Sequence, residues 1–163
     1  MRDLIPPAVA RDPVEAIEIV SLAISDGDLE AALAQYERSA ILRVWQAEVL
    51  DGADPLEDAA AEGADPCGPR HAAGALRDVM DLRLPIVLRV LTAVPAGDLS
   101  LVLAQRRICG SGPDCERIEL TGSGAAIVRR QPGGGWRIAA DAWRLAGAGE
   151  PGAVAEHVPS DSP

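Results

Sequence analysis

The stretch from Ser25 to Trp45, SDGDLEAALAQYERSAILRVW, decides the fold. Ser25, Asp26 and Gly27 stop one helix, and Gly27 suits the left-handed position just past a helix end. Asp28 at once offers a new N-cap. Leu29, Ala32, Leu33 and Tyr36 then place an apolar stripe on a second short helix, with Tyr36 continuing the stripe as core or cavity wall and its hydroxyl needing one partner. From Ser39 to Trp45 the run SAILRVW turns β-branched and aromatic and reads as a strand.

Upstream, Asp12, Pro13 and Glu15 announce the first helix: a side-chain cap, a proline at the first helical position and a capping-box acid. Val14, Ile17, Val20 and Ile24 recur behind them at helical spacing. Downstream, residues 51–67 carry six acids and no base (Asp51, Asp54, Glu57, Asp58, Glu62, Asp65) among Ala, Gly and Pro. They read as a solvated acidic loop insert, without the ligand spacing of an EF-hand. A third helix is expected from Pro69 to Arg83, because Ala72, Ala75, Leu76, Val79 and Met80 form one stripe. Beyond Leu84 the period changes to two. Ile86, Leu88 and Val90 share a face opposite Arg89, Pro95–Gly97–Asp98 turns the chain, and Leu99, Leu101 and Leu103 alternate toward Cys109. After the turn GSGPD a long strand runs from Ile118 to Arg130, with Gly122 and Gly124 expected to mark a bulge or bend. QPGGG turns again, and WRIAADAW is the last strand. The expectation is an α+β domain whose N-terminal helices pack on a strongly curved antiparallel sheet. It spans residues 12–146, between an N-terminal extension (1–11) and a tail (147–163) that lacks any period.

Composition agrees and narrows the function. The chain has 163 residues, 48 % hydrophobic and 25 % charged, enough for one domain with a core. That core must be aliphatic, since there are three Trp, one Tyr and no Phe. A net charge of −10, with 25 acids against 15 arginines and no lysine, repels phosphate backbones, so neither nucleic acid nor an anionic membrane is an expected partner. The longest uncharged run, Leu120–Val128, is nine residues, against the roughly 20 needed for a membrane span. MRDLIPPAVARDP lacks the apolar segment of a signal peptide, and the protein is read as cytoplasmic.

The order helix, GDL, second helix, strand, amphipathic helix and meander, closing with RRQPGGGWRIAADAW (129–143), resembles the NTF2-like superfamily, also called ketosteroid isomerase-like or SnoaL-like. The likeness covers about residues 12–145. It implies a cone-shaped fold with an apolar cavity, and homodimers packed through the sheet. In the steroid isomerases of that superfamily a Tyr, an Asp base and a protonated Asp do the chemistry. The matching positions here are Val20, Val44 and Ala126 or Ile127, all apolar, and a hydrocarbon neither moves a proton nor stabilises an oxyanion. The resemblance therefore implies a domain that binds a small, mostly apolar molecule, with Tyr36, Val20, Val44 and Met80 lining the cavity and no cofactor. One rival is a polyketide-cyclase-like or isomerase-like acid/base enzyme using Asp141 or His71. The other is a protein-interaction or regulatory dimer.

The polar residues divide between these readings. His71 is a general base or a histidine at a helix start. Asp141 is a cavity acid of raised pKa, or it pairs with Arg107 or Arg129 on the sheet surface. Arg43 and Arg89 face solvent or a dimer partner. Trp45, Trp136 and Trp143 pack on the sheet. Cys109 and Cys115 flank GSGPD closely enough to pair under oxidation but stay thiols in a reducing cytosol. Cys67 and His71 with these two cysteines match no usual zinc spacing, so no metal is expected. No Walker A, dinucleotide or nucleophile-elbow motif is present.

Overall fold

A computed structural model describes residues 9–46, 69–111 and 117–147. The acidic segment 51–67, Cys67, Cys115 and the tail after Gly147 lie outside the described residues, as do the side chains of Trp45 and Gln46.

Helix α1 spans Pro13–Asp26. Asp12 caps it by accepting from the backbone N–H groups of Val14 and Glu15, both at 2.9 Å. Glu15 reaches back to the N–H of Arg11, one residue before the cap. Gly27, at φ 72°, closes the other end, with the N–H groups of Gly27 and Asp28 returning to the Ile24 and Ala23 carbonyls. Helix α2, Leu29–Ala34, starts on Asp28, whose carboxylate accepts from Ala31. It stops before Tyr36. Strand β1 is Tyr36–Gln46, so Tyr36 opens the strand rather than completing the helical stripe. The backbone carbonyl of Gln35 accepts from Ile138 N–H at 2.8 Å, which seats this first strand residue on the sheet.

Helix α3, Pro69–Met80, ends three residues before the expected Arg83. Arg83 itself sits at φ 52°, a left-handed conformation that cannot continue a helix. Its N–H bonds the carbonyl of Met80 and turns the chain into β2. Four strands follow: β2 Ile86–Ala96, β3 Leu99–Ser111, β4 Arg117–Arg130 and β5 Trp136–Gly147. The order across the sheet is β1-β5-β4-β3-β2. The meander is antiparallel, but β1 runs parallel to β5, so the sheet is mixed. Ser25 ties helix to sheet, accepting from Ile86 N–H and donating to the Ser21 carbonyl, each at 2.9 Å.

Gly122 and Gly124 do not form a bulge, because the pairing of β4 to both neighbours is unbroken through them. Bulges fall at Leu91, opposite the Ala104–Leu103 step, and at Ala139, opposite the Val128–Ile127 step, and the β1–β5 register also shifts between Tyr36 and Ile41. The bulge at Ala139 reverses the facing of everything after it: Ile138 points inward, and past the extra residue so do Asp141, Trp143 and Leu145. On β3 the inward residues are Ser100, Val102, Ala104, Arg106 and Ile108, which leaves Leu99 and Leu101 on the outer face.

The core lies between the three helices and this inner face. Ile17, Val20, Leu42, Leu76, Val102, Ile108, Val128 and Ile138 are each at most 2 % exposed. At about 1.5–3 kcal/mol per buried aliphatic side chain, this layer supplies the cohesion that aromatic residues would give elsewhere. No described helix is long and apolar enough to cross a membrane.

Candidate functional site

Among the described residues, a charged cluster sits within this apolar interior. Arg106 of β3 and Asp141 of β5 are 2 % and 1 % exposed and form an ion pair, Nη2 to Oδ2, at 3.3 Å. The Tyr36 hydroxyl donates to the same oxygen at 3.1 Å. The guanidinium stacks on Trp143, its central carbon 4.1 Å from the ring centroid, a favourable cation–π arrangement.

Backbone pattern explains how these residues meet. Asp141 and Trp143 are two apart on β5 and share a face. Arg106 belongs two strands away, paired to Gly122 of β4. Its side chain must cross β4, and it does so over Gly124. A Cβ at that position would lie 2.7 Å from Nη1 and 2.5 Å from the Ala142 carbonyl oxygen. The two glycines of β4 are thus gaps on the inner face. At Gly122 a side chain would collide with the Arg144 carbonyl.

Electrostatically the cluster is poised rather than saturated. Burial pushes the Asp141 carboxyl above the ordinary carboxylate range, while the charge of Arg106 and hydrogen bonds from Trp143, Tyr36 and Arg106 pull the other way. Burial, followed by the neighbouring Asp141 charge, pushes the Tyr36 hydroxyl far above its ordinary value, so it stays a donor. The buried Trp143 indole N–H is turned toward the Asp141 carboxylate, whereas Arg106 Nε and Nη1 are buried without a hydrogen-bond partner among the described residues. Such donors are costly to leave unpaired.

The other expected residues are placed differently. Asp141 does not pair with Arg107 or Arg129 on the surface: Arg107 bonds Glu119 at 2.8 Å and Arg129 meets Glu37 at 3.6 Å. His71, half-buried on α3, donates from Nε2 to the Leu42 carbonyl on edge strand β1 at 3.1 Å, which commits that nitrogen to backbone. Val20 is buried on α1, and Val44 and Met80 pack against the core. Ala126 stands beside Asp141 in register on the inner face, whereas Ile127 is 43 % exposed on the outer one. Arg43 is half-exposed and Arg89 exposed. Trp143 underlies the guanidinium, and Trp136 is half-buried beside the bridge to Ala10. Cys109 is paired in register with Glu119. No cluster of three metal-ligating side chains occurs among the described residues.

Arg106 is the member that sequence reasoning misses. Two signals could have found it. In the alternation Ser100, Val102, Ala104, Arg106, Ile108, one arginine of the Arg106–Arg107 doublet must face inward. The spacing Gly122-x-Gly124 on the next strand leaves room for its long side chain.

Similar folds occur among solved structures. A ketosteroid isomerase-like protein from Erwinia carotovora atroseptica superposes with a TM-score of 0.60 at 13 % identity, over 80 % of this chain and 90 % of that one. An NTF2-like protein with a cystatin-like fold from Novosphingobium aromaticivorans gives 0.58 at 16 % identity, over 84 % and 80 %. An NTF2-like protein of unknown function from Shewanella oneidensis gives 0.55 at 14 % identity, over 80 % and 94 %. No family model and no curated protein matches the sequence. The chain therefore has the NTF2-like, cystatin-like fold.

Proposed function

We propose that this NTF2-like domain binds a small, mostly apolar molecule between its helices and the inner face of its sheet. Arg106, Trp143, Asp141 and Tyr36 supply the polar contacts. One observation carries the reading: buried N–H groups on Arg106 Nε and Nη1 that no acceptor satisfies among the described residues. A protein interior keeps such groups at a cost, and a site that presents them to a ligand recovers it. Fold likeness contributes only the location, because the same fold hosts unrelated functions.

The test is an NMR titration with methyl benzoate, benzoate and cyclohexanone as probes. A saturable shift of the Trp143 indole N–H resonance that disappears in Arg106→Met supports the reading. If no probe moves that resonance, the reading fails.

An acid/base enzyme is the second reading, and it draws on Asp141 alone, a buried carboxyl whose affinity for its proton is raised. His71 is set aside as a base through Nε2 by its bond to Leu42. Assembly is a separate matter. Val94, Leu101, Ile127, Ala140 and Ile41 pair successively into one row across all five strands on the outer face. Of these, Val94, Leu101, Ile127 and Ile41 are 40–51 % exposed. A continuous apolar row of this kind suits the self-matching contact of a homodimer.

A further inference from the structure

We propose that the polar head of the ligand is a carboxylic acid, and that binding takes up one proton. This deepens the ligand-site reading and rests on it.

The unmatched groups are one N–H on Arg106 Nε and two on Nη1, three in all and every one a donor. The occupant must therefore bring acceptors. A ketone or ether offers the two lone pairs of one oxygen, whereas a carboxylate has four over two oxygens, enough for these three donors and for one proton shared with Asp141. The guanidinium is also the side chain whose fork matches a carboxylate best, and its Nη2 alone is held by Asp141, at 3.3 and 3.4 Å.

The charges at the site call for the proton. Arg106 is the one buried cation of the cluster, and Asp141 already balances it. A ligand carboxylate would leave two anions facing one cation in a site shielded from water. The system relieves this as close carboxylate pairs do, by sharing a proton between the two acids. Among the described residues nothing else near Asp141 supplies that relief. The groups facing it are Arg106 from β3, Tyr36 from β1 and Trp143 from its own strand. Helix α1 buries only Ala, Ile, Val and Ser side chains, and β4 presents Gly124, Ala126 and Val128. On α3, His71 is turned to the Leu42 carbonyl.

The experiment is calorimetric titration of benzoate and of methyl benzoate between pH 5.5 and 8, each in two buffers of different ionisation enthalpy. The expected result is benzoate affinity falling about tenfold per pH unit as pH rises, with one proton taken up. The ester should bind at least about tenfold more weakly at the acidic end. Asp141→Asn, which removes the second negative charge, should make benzoate binding nearly independent of pH. An ester that binds as well as the acid, or benzoate affinity flat across the range with no proton uptake, overturns the inference and leaves the ligand-site reading standing. If neither probe binds at any pH, both fall.

Discussion

Arg106 reaches Asp141 at 3.3 Å by passing over Gly124, the position on the strand between them where a side chain would block the way. Glycine is required there by packing, not by backbone angle. Gly124→Ala should therefore cost about 2–3 kcal/mol in urea denaturation, because its Cβ meets the Ala142 carbonyl at 2.5 Å and backbone cannot swing aside. Gly74→Ala is the matched control. It lies in α3 with open space around its added carbon, and helix propensity predicts a gain of about 0.5–1 kcal/mol.

The buried ion pair should be strongly coupled. Asp141→Leu leaves a guanidinium without its counter-charge and should cost about 3–5 kcal/mol, whereas Asp141→Leu combined with Arg106→Met should recover most of that. A double-mutant cycle by chemical denaturation measures the coupling. Additive losses would mean that the two side chains do not interact as described.

Stability should respond to pH through Asp141, and the direction follows from burial. The folded carboxyl holds its proton to higher pH than the unfolded one, which releases it near about 3.9. The native state then binds more protons across that window. The contribution of this group is complete below the unfolded value and is lost as pH rises through the folded one. Asp141→Asn should accordingly gain in melting temperature relative to the parent as pH rises from about 4 toward neutrality. A constant gap between the two proteins would contradict the assignment.

The outer row predicts assembly. Leu101→Asp and Ile127→Asp put a charge at the centre of the apolar row and should convert a dimer to monomer in sedimentation equilibrium, with helix content unchanged. A parent protein that is already monomeric would remove the homodimer from the account.

Local chemistry made much of the architecture legible. Asp12, Pro13, Gly27 and Asp28 act through hydrogen bonds and backbone angles a few residues away, so the helix boundaries they set can be read directly. The period-two run from Ile86 to Trp143 likewise gives the meander. What the sequence withholds is long-range. The parallel pairing of β1 with β5 joins residues about a hundred positions apart. The Ala139 bulge, which turns Asp141 inward, breaks the alternation without a glycine to mark it. Tyr36 carries a helical spacing that the tertiary pairing of Gln35 with Ile138 overrides. At the site, Asp141 stands out as an acid in an apolar strand, but its partner could not be chosen among neighbouring arginines until the register was known.

The interior donors of Arg106 Nε and Nη1 await a ligand acceptor. The most direct measurement is an electron-density map from crystals of the protein grown with benzoate. The expected result is a carboxyl group within hydrogen-bond distance of Arg106 Nε or Nη1 and beside Asp141, with its ring against α1. An interior closed by the protein's own side chains, or benzoate bound only elsewhere on the surface, would contradict it.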